Sequence, residues 1–408
     1  MAANPTTVTP AALGTPEPID LPPPAADREA RTHALLQAFD ERVLVMDGAT
    51  GTALQRLTLT ADDFGGPDLE GCNEALNLTR PDAVLALHDT YLSANADVVE
   101  TNTFGATPLV LAEYDLAPYA FGINRAAASL ARQACARYDE PGRLRFVCGS
   151  MGPTTKAISV TGGVTFDALR DHFRVQALGL CAGGADYLLL ETQQDTRNVK
   201  AGLLGIEDAF GELGWRIPIA VSVTIEMSGT MLAGQDAEAL AVSLQHADLL
   251  YVGLNCATGP ELMRDHVRTL SELVRTRTAC VPNAGLPDEN GKYHESPEDF
   301  RRVLGDFIEQ GWLNLVGGCC GSHDGHVAAL AELVRGKRPR RIPDYSRALV
   351  SGIEAVELVP DNRPLLVGER TNVLGSRKFK QLINGAKFEE ASEVGRLQVR
   401  RGAHVLDV

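Results

Sequence analysis

Eight short apolar, β-branched runs recur along the chain, at residues 43–46, 97–100, 144–148, 187–190, 217–223, 249–254, 279–281 and 313–316. Longer stretches with helical spacing lie between them, among them 81–94, 166–182, 237–246, 259–275 and 297–310. A helix between two strands carries the chain back to the same end of a sheet, so consecutive strands pair in parallel. Parallel strands must be covered on both faces, and eight such units in a row satisfy that requirement as a closed ring. The predicted fold is therefore α/β, a (β/α)8 TIM barrel.

Polar and glycine residues gather at one end of every run. The runs close in Asp47-Gly48-Ala49-Thr50-Gly51-Thr52, Glu100-Thr101-Asn102-Thr103-Phe104-Gly105, Gly149-Ser150-Met151-Gly152-Pro153, Glu191-Thr192, Ser222 to Thr224, Asn255-Cys256, Asn283-Ala284-Gly285 and Gly317-Gly318-Cys319-Cys320. In a barrel that rim is where active sites are built. Strands six and eight are close neighbours around a barrel, so Cys256, Cys319 and Cys320 are expected to meet there. Adjacent cysteines flanked by glycines can both turn toward one point, and three thiolates suit a soft ion, zinc above all. Three protein ligands leave the fourth tetrahedral position open, as in a catalytic rather than a structural site. His323 and His326 are alternative fourth ligands, or they open the next helix. Cys72 and Cys280 read as packing, and Glu100 and Asn102 as scaffolding of the rim.

The other five cysteines do not suggest disulfides. Cys135, Cys148 and Cys181 sit in apolar runs and read as small buried hydrophobes. Clustered thiols outside a disulfide framework point to metal or catalysis in a reducing compartment, so a cytoplasmic location is expected. A net charge of -15 argues against nucleic acid or an anionic membrane as partner. No apolar run is long enough to span a bilayer.

The flanks read differently. Residues 1–28 are rich in Ala, Pro and Thr, without periodicity, and are expected to be a disordered tail. The barrel is expected over 29–335. The Arg- and Pro-rich stretch 336–363 reads as a linker. A strand-like run begins at Leu365-Leu366-Val367-Gly368, a helical stretch follows at 391–400, and His404-Val405-Leu406-Asp407-Val408 starts another strand. One such unit cannot bury a core, so 364–408 is expected to be the truncated start of a second α/β barrel.

Together, Asp47-Gly48-Ala49-Thr50-Gly51-Thr52, Gly71-Cys72-Asn73-Glu74, Glu100-Thr101-Asn102-Thr103-Phe104, Asn255-Cys256 and Gly318-Cys319-Cys320-Gly321 resemble the homocysteine S-methyltransferase family, over roughly residues 38–335. Val367-Gly368-Glu369-Arg370-Thr371-Asn372 and Gly402-Ala403-His404-Val405-Leu406-Asp407-Val408 resemble the opening of the pterin-binding barrel of cobalamin-dependent methionine synthases. The first resemblance implies methyl transfer to L-homocysteine, whose sulfur zinc would hold as a thiolate, with Asn283 as a displaceable fourth ligand. Asp47 and Glu191 would pair with the substrate ammonium. Gly48, Thr50, Gly51, Ser150 and Asn255 complete the implied substrate site, with backbone N–H groups of the glycine-rich turns suited to the carboxylate. The second resemblance implies pterin contacts at Asn372 and Asp407. It also implies methylcobalamin carried by downstream modules and 5-methyltetrahydrofolate as methyl donor.

Two other readings fit the barrel. One is a betaine- or S-methylmethionine-homocysteine methyltransferase working without cobalamin; the segment at 367–372 argues against it. The other is a zinc-dependent homocysteine-binding module that catalyses nothing alone and serves a partner domain.

Overall fold

The computed structural model describes residues 13–344 and 347–408. The chain divides into two compact units, with the boundary between Pro343 and Asp344.

The first unit is the expected barrel. Its strands are β1 (Leu44–Val45), β2 (Val98–Glu100), β3 (Phe146–Met151), β4 (Tyr187–Gln193), β5 (Ile219–Val223), β6 (Tyr251–Asn255), β7 (Arg277–Val281) and β8 (Leu315–Val316). All pair in parallel, in the order β1-β8-β7-β6-β5-β4-β3-β2. A parallel bridge between Met46 and Val98 brings the two ends of this sheet together. Two backbone bonds reinforce the seam, Asp97 N to Val45 O at 2.7 Å and Asp47 N to Val98 O at 3.0 Å.

Alternate residues of the strands fill the interior. Met46, Val98, Phe146, Cys148, Tyr187, Leu189, Tyr251 and Leu315 form one buried cluster, closed at one end by Leu35 and Phe39 of the first helix, Arg28–Glu41. Tyr187 and Tyr251 meet edge to face, 5.9 Å between centroids. Helix starts are set by side chains that accept orphan backbone N–H groups: Thr165, Asp195, Asp236 and Ser296 each do so. Proline then opens the Pro81–Ser93, Pro260–Leu273 and Pro297–Glu309 helices, where its missing donor costs nothing.

Charge is managed at the end of the barrel remote from the cysteines. The Asp97 carboxylate accepts from Val45 N at 3.1 Å and pairs with Arg42 at 2.6 Å and Arg143 at 2.9 Å. Asp186 pairs with Arg31 at 2.9 Å and also with Arg132.

The flanks depart from expectation. Residues 1–12 lie outside the described residues. Residues 13–27 carry no helix or strand, yet they are held: Tyr119 Oη donates to Gly14 O at 2.8 Å, and Glu17 pairs with Arg125 at 2.8 Å. The segment predicted as linker is structured in two places. Arg340 is 4% exposed and donates to the carbonyls of Ser271, Val274 and Thr276 at 2.6–2.9 Å. Strands β9 (Leu349–Ser351) and β10 (Ala355–Glu357) form an antiparallel hairpin.

In the second unit β11 (Val367–Gly368) pairs in parallel with β12 (Val405–Leu406). Helices Arg377–Asn384 and Phe388–Arg400 lie between them in sequence, and their contact is a small cluster of Phe379, Leu382 and Ala391.

Arg340 ties the stretch after the last barrel helix to carbonyls left free at the end of the Pro260–Leu273 helix. Arg340→Ala leaves those buried acceptors unsatisfied and is expected to cost about 2–4 kcal/mol of barrel stability. Chemical denaturation followed by tryptophan fluorescence reads this; an unchanged midpoint would show that the segment is dispensable.

Candidate metal centre and substrate pocket

The three cysteines converge as the strand order requires. Their sulfurs all lie within 4.8 Å of one another, and Cys256 Sγ is 3.9 Å from Cys320 Sγ. Zinc bonds to sulfur at about 2.3 Å in a tetrahedron put neighbouring sulfurs roughly 3.8 Å apart, so the donor set fits such an ion. All three are free thiols.

The backbone is bent to achieve this. Cys256 and Ala257 follow β6 with φ of +60° and +57°, a left-handed pair that non-glycine residues rarely adopt. Cys256 N donates to Val281 O of β7 at 3.1 Å, and Cys319 N donates to Pro282 O at 2.7 Å. Gly317 lets the chain leaving β8 run close to β1: a Cβ there would sit 2.8 Å from that of Met46. Without a metal the three thiols shift one another in opposite directions. Hydrogen bonds from Cys256 and Cys319 lower the Cys320 thiol to about 3, and those to Cys256 and Cys320 push Cys319 well above its usual range.

Asn283 is 3% exposed and its Oδ1 has no partner among the described residues. It sits between Pro282, which accepts from Cys319 N, and Ala284, whose N–H donates to Cys320 O at 2.9 Å. His323 and His326 are engaged elsewhere. His323 caps the Asp324–Leu333 helix, and His326 lies 3.0 Å from the Glu295 carbonyl.

A cavity of about 260 Å3 opens beside the sulfurs, lined by residues 48–52, Asn73, Glu74, 100–104, Ser150, Glu191, Thr192, Asn255, Val281 and 318–320 together with Cys256. Gly48, Thr50, Gly51, Ser150, Glu191 and Asn255 all line this cavity, whereas Asp47 is not part of its lining. Its lining contains no Lys, Arg or His. Asp47, 1% exposed, accepts from Glu100 N at 3.0 Å through Oδ2, and its Oδ1 has no partner among the described residues. Burial holds Asp47 and Glu100 well above the usual carboxylate range, and the nearby Glu191 charge adds to both. Burial raises Glu191 to about 7, against hydrogen bonds from Ser150 and Thr192 and with the Cys320 charge.

Glu191 is turned into the cavity by a register irregularity in β4, where Thr192 has φ +55°. Ser150 Oγ donates to one of its oxygens, and Asn255 Nδ2 to the other at 3.3 Å. Asn255 Oδ1 accepts from Thr192 N at 2.9 Å and Ser222 Oγ at 2.7 Å, so its amide is spent on holding Glu191 and the bulge. Two acids contribute more than the sequence suggested. Glu100 lines the cavity rather than only supporting it, and Glu74 accepts from Gly105 N at 2.7 Å beside it. Their positions in the motifs were visible; their direction was not.

In the second unit, parallel pairing of β11 and β12 brings Asn372 and Asp407 together: Asn372 Nδ2 donates to Asp407 Oδ2 at 3.0 Å.

Residues 44–334 match the profile of the homocysteine S-methyltransferase family. The chain belongs to that family. It is 40% identical over 388 residues to the methionine synthase of Mycobacterium tuberculosis, an alignment covering 94% of this chain and 32% of that protein. The chain thus spans about a third of the length of this relative. Its fold is similar to that of the Escherichia coli homocysteine methyltransferase MmuM in the metallated and oxidized forms, with TM-scores of 0.59 and 0.58, 21% identity, and coverage of 74% of this chain and 99% of that one. The family assignment makes this a methyltransferase barrel. Among the described residues no helix is long and apolar enough to cross a membrane.

A carboxyl group raised by burial makes its neutral form the stabilising one. Glu191→Gln is therefore expected to be no more stable, relative to the parent, at pH 4.5 than its altered hydrogen bonds allow. The difference should grow in its favour as pH rises through about 7, by up to about 1.4 kcal/mol per pH unit. Paired melting curves from pH 4.5 to 8 check this; a difference independent of pH would place the buried charge elsewhere.

Proposed function

We propose that this chain transfers a methyl group to L-homocysteine to give L-methionine, as the substrate-activating part of a cobalamin-dependent methionine synthase. The observation that carries the proposal is the convergence of three free thiols on a buried acidic cavity that contains no basic side chain. Such a cavity accepts a divalent soft ion and an ammonium group, and homocysteine brings both the ammonium and a sulfur that needs ionising.

Cys256, Cys319 and Cys320 would hold zinc, and Asn283 Oδ1 would fill the fourth position until substrate displaces it. Zinc, when bound, stabilises the substrate sulfur as a thiolate near neutral pH. Everything else falls to the chain's own groups. Asp47 and Glu191 receive the ammonium. Ser150 and Asn255 keep Glu191 aimed. The Gly48 to Gly51 turn offers N–H groups to the carboxylate, with Thr50 at its centre. The methyl group would reach the sulfur from methylcobalamin held by downstream modules, recharged by 5-methyltetrahydrofolate. The Asn372–Asp407 pair would contact the pterin. The 40% identity to a much longer methionine synthase supports this reading over one with betaine or S-methylmethionine as donor.

The purified, reduced chain is expected to hold about one zinc per molecule by elemental analysis, with most of it lost in Cys320→Ser. With zinc bound it should demethylate free methylcobalamin in the presence of homocysteine, and Cys320→Ser should fall by at least about 100-fold. Turnover with S-methylmethionine but none with methylcobalamin would favour the cobalamin-independent reading. Zinc and homocysteine binding with neither turnover would leave a binding module.

A further inference from the structure

The reading of the cavity as a homocysteine site, on which this inference rests, divides the work between two loops. The loop after β8 carries Cys319 and Cys320. The turn after β1, Gly48 to Gly51, is the one proposed for the substrate carboxylate. The two loops are hydrogen-bonded to each other: Gly318 N donates to Asp47 O at 3.1 Å, and Gly321 N donates to Thr52 Oγ1 at 3.3 Å. A third link runs through a side chain. Ala49 N donates to Ser322 Oγ at 3.2 Å, and the same hydroxyl donates to Cys319 O at 2.7 Å. Ser322 is 1% exposed and is not part of the cavity lining.

Space is made for this hydroxyl. A Cβ on Gly318 would lie 2.4 Å from Ser322 Oγ and 2.6 Å from its Cβ, so only glycine fits. The Ala49 peptide is held through its carbonyl as well. Tyr91 Oη donates to Ala49 O at 2.9 Å, and a Cβ on Gly48 would come within 2.8 Å of the Tyr91 ring. A serine hydroxyl donates one proton and accepts through its lone pairs. Here the proton goes to Cys319 O and a lone pair takes the Ala49 N–H. The backbone of a cysteine in the metal centre is thereby joined to the backbone of the substrate turn by two consecutive bonds, each of which polarises the other.

We propose that Ser322 is a positioning residue that couples the metal to the substrate turn. An ion that fixes Cys319 also fixes the Ala49 peptide, so the amino-acid end of the substrate binds more tightly once the metal is in place. By linkage, an amino acid seated on the turn tightens the metal by the same factor. Partners of metal ligands tune a site in this way.

The probe is L-2-aminobutyrate, which has the amino-acid end and carbon chain of homocysteine but no sulfur to touch the metal. Calorimetry on the reduced whole chain gives its affinity with zinc bound and after chelation, in wild type, Ser322→Ala and Tyr91→Phe. Wild type is expected to bind it on the order of 5-fold more tightly with zinc, the equivalent of one ordinary hydrogen bond. In Ser322→Ala that ratio should fall to about 1. Tyr91→Phe loosens the turn without cutting the link, so it should weaken binding in both states and keep the ratio. If Ser322 only supported the fold, Ser322→Ala would lower both affinities and keep the wild-type ratio; that result overturns the coupling and leaves the metal and substrate readings intact. The cadmium-loaded proteins need no chelated state. There the NMR resonance of the metal should move on adding the probe in wild type and Tyr91→Phe, and far less in Ser322→Ala. Equal movement in all three overturns the coupling even where a chelated variant does not fold. A wild-type chain that binds neither zinc nor homocysteine overturns the proposed function, and the coupling with it.

Discussion

Three thiols and at least three carboxyl groups are turned into one cavity of about 260 Å3 without a basic residue in its lining. Like charges this close cannot all ionise in a dry site. The compromise is partial: hydrogen bonds from its neighbours favour ionisation of Cys320, and burial holds the carboxyl groups above their usual range. Cations, as the proposed function supplies them, would relieve the remainder. The surrounding structure makes sense as the frame that enforces this crowding. The β4 irregularity aims Glu191, Asn255 locks it, and the left-handed turn after β6 presents Cys256. Each device opposes a local preference, and the closed ring of strands over-determines all of them.

The ring was legible because its signal is repeated. A run such as 187–190 is ambiguous by itself, but eight of them, each ending in polar or glycine residues, leave little besides a barrel. The cysteine triad followed from topology, since β6 and β8 flank β7. What escaped was side-chain direction. Glu100 read as rim support although it faces the cavity, because a three-residue strand does not reveal which face its last residue takes. Tyr293 lies in a polar loop with no periodicity, and nothing in the sequence shows that its ring packs on Gly321.

The flanks failed for a related reason. Composition predicts whether a segment can build its own core, not whether it lies on another's. Glu17 and Arg340 are ordinary charged residues in low-complexity surroundings. They are ordered by Arg125 in one case and by the carbonyls at the end of the Pro260–Leu273 helix in the other, and neither partner is local in sequence. A linker assignment made from Pro and Arg content is blind to such acceptors.

The second unit shows how much a short segment can still specify. Its buried cluster is small, and Leu374 and Phe388 stand exposed. Parallel pairing in register, Val367 with Val405 and Gly368 with Leu406, nevertheless places the residues after each strand side by side. Thr371 Oγ1 then donates to Asp407 O at 2.7 Å, and Asn372 Nδ2 to Asp407 Oδ2 at 3.0 Å. A polar pair is thus preassembled at the carboxyl ends of two parallel strands, the position from which α/β folds recognise ligands. The rule that gathers the acids and thiols of the barrel gathers this pair too, and it acts through strand direction and register, not through the size of the core.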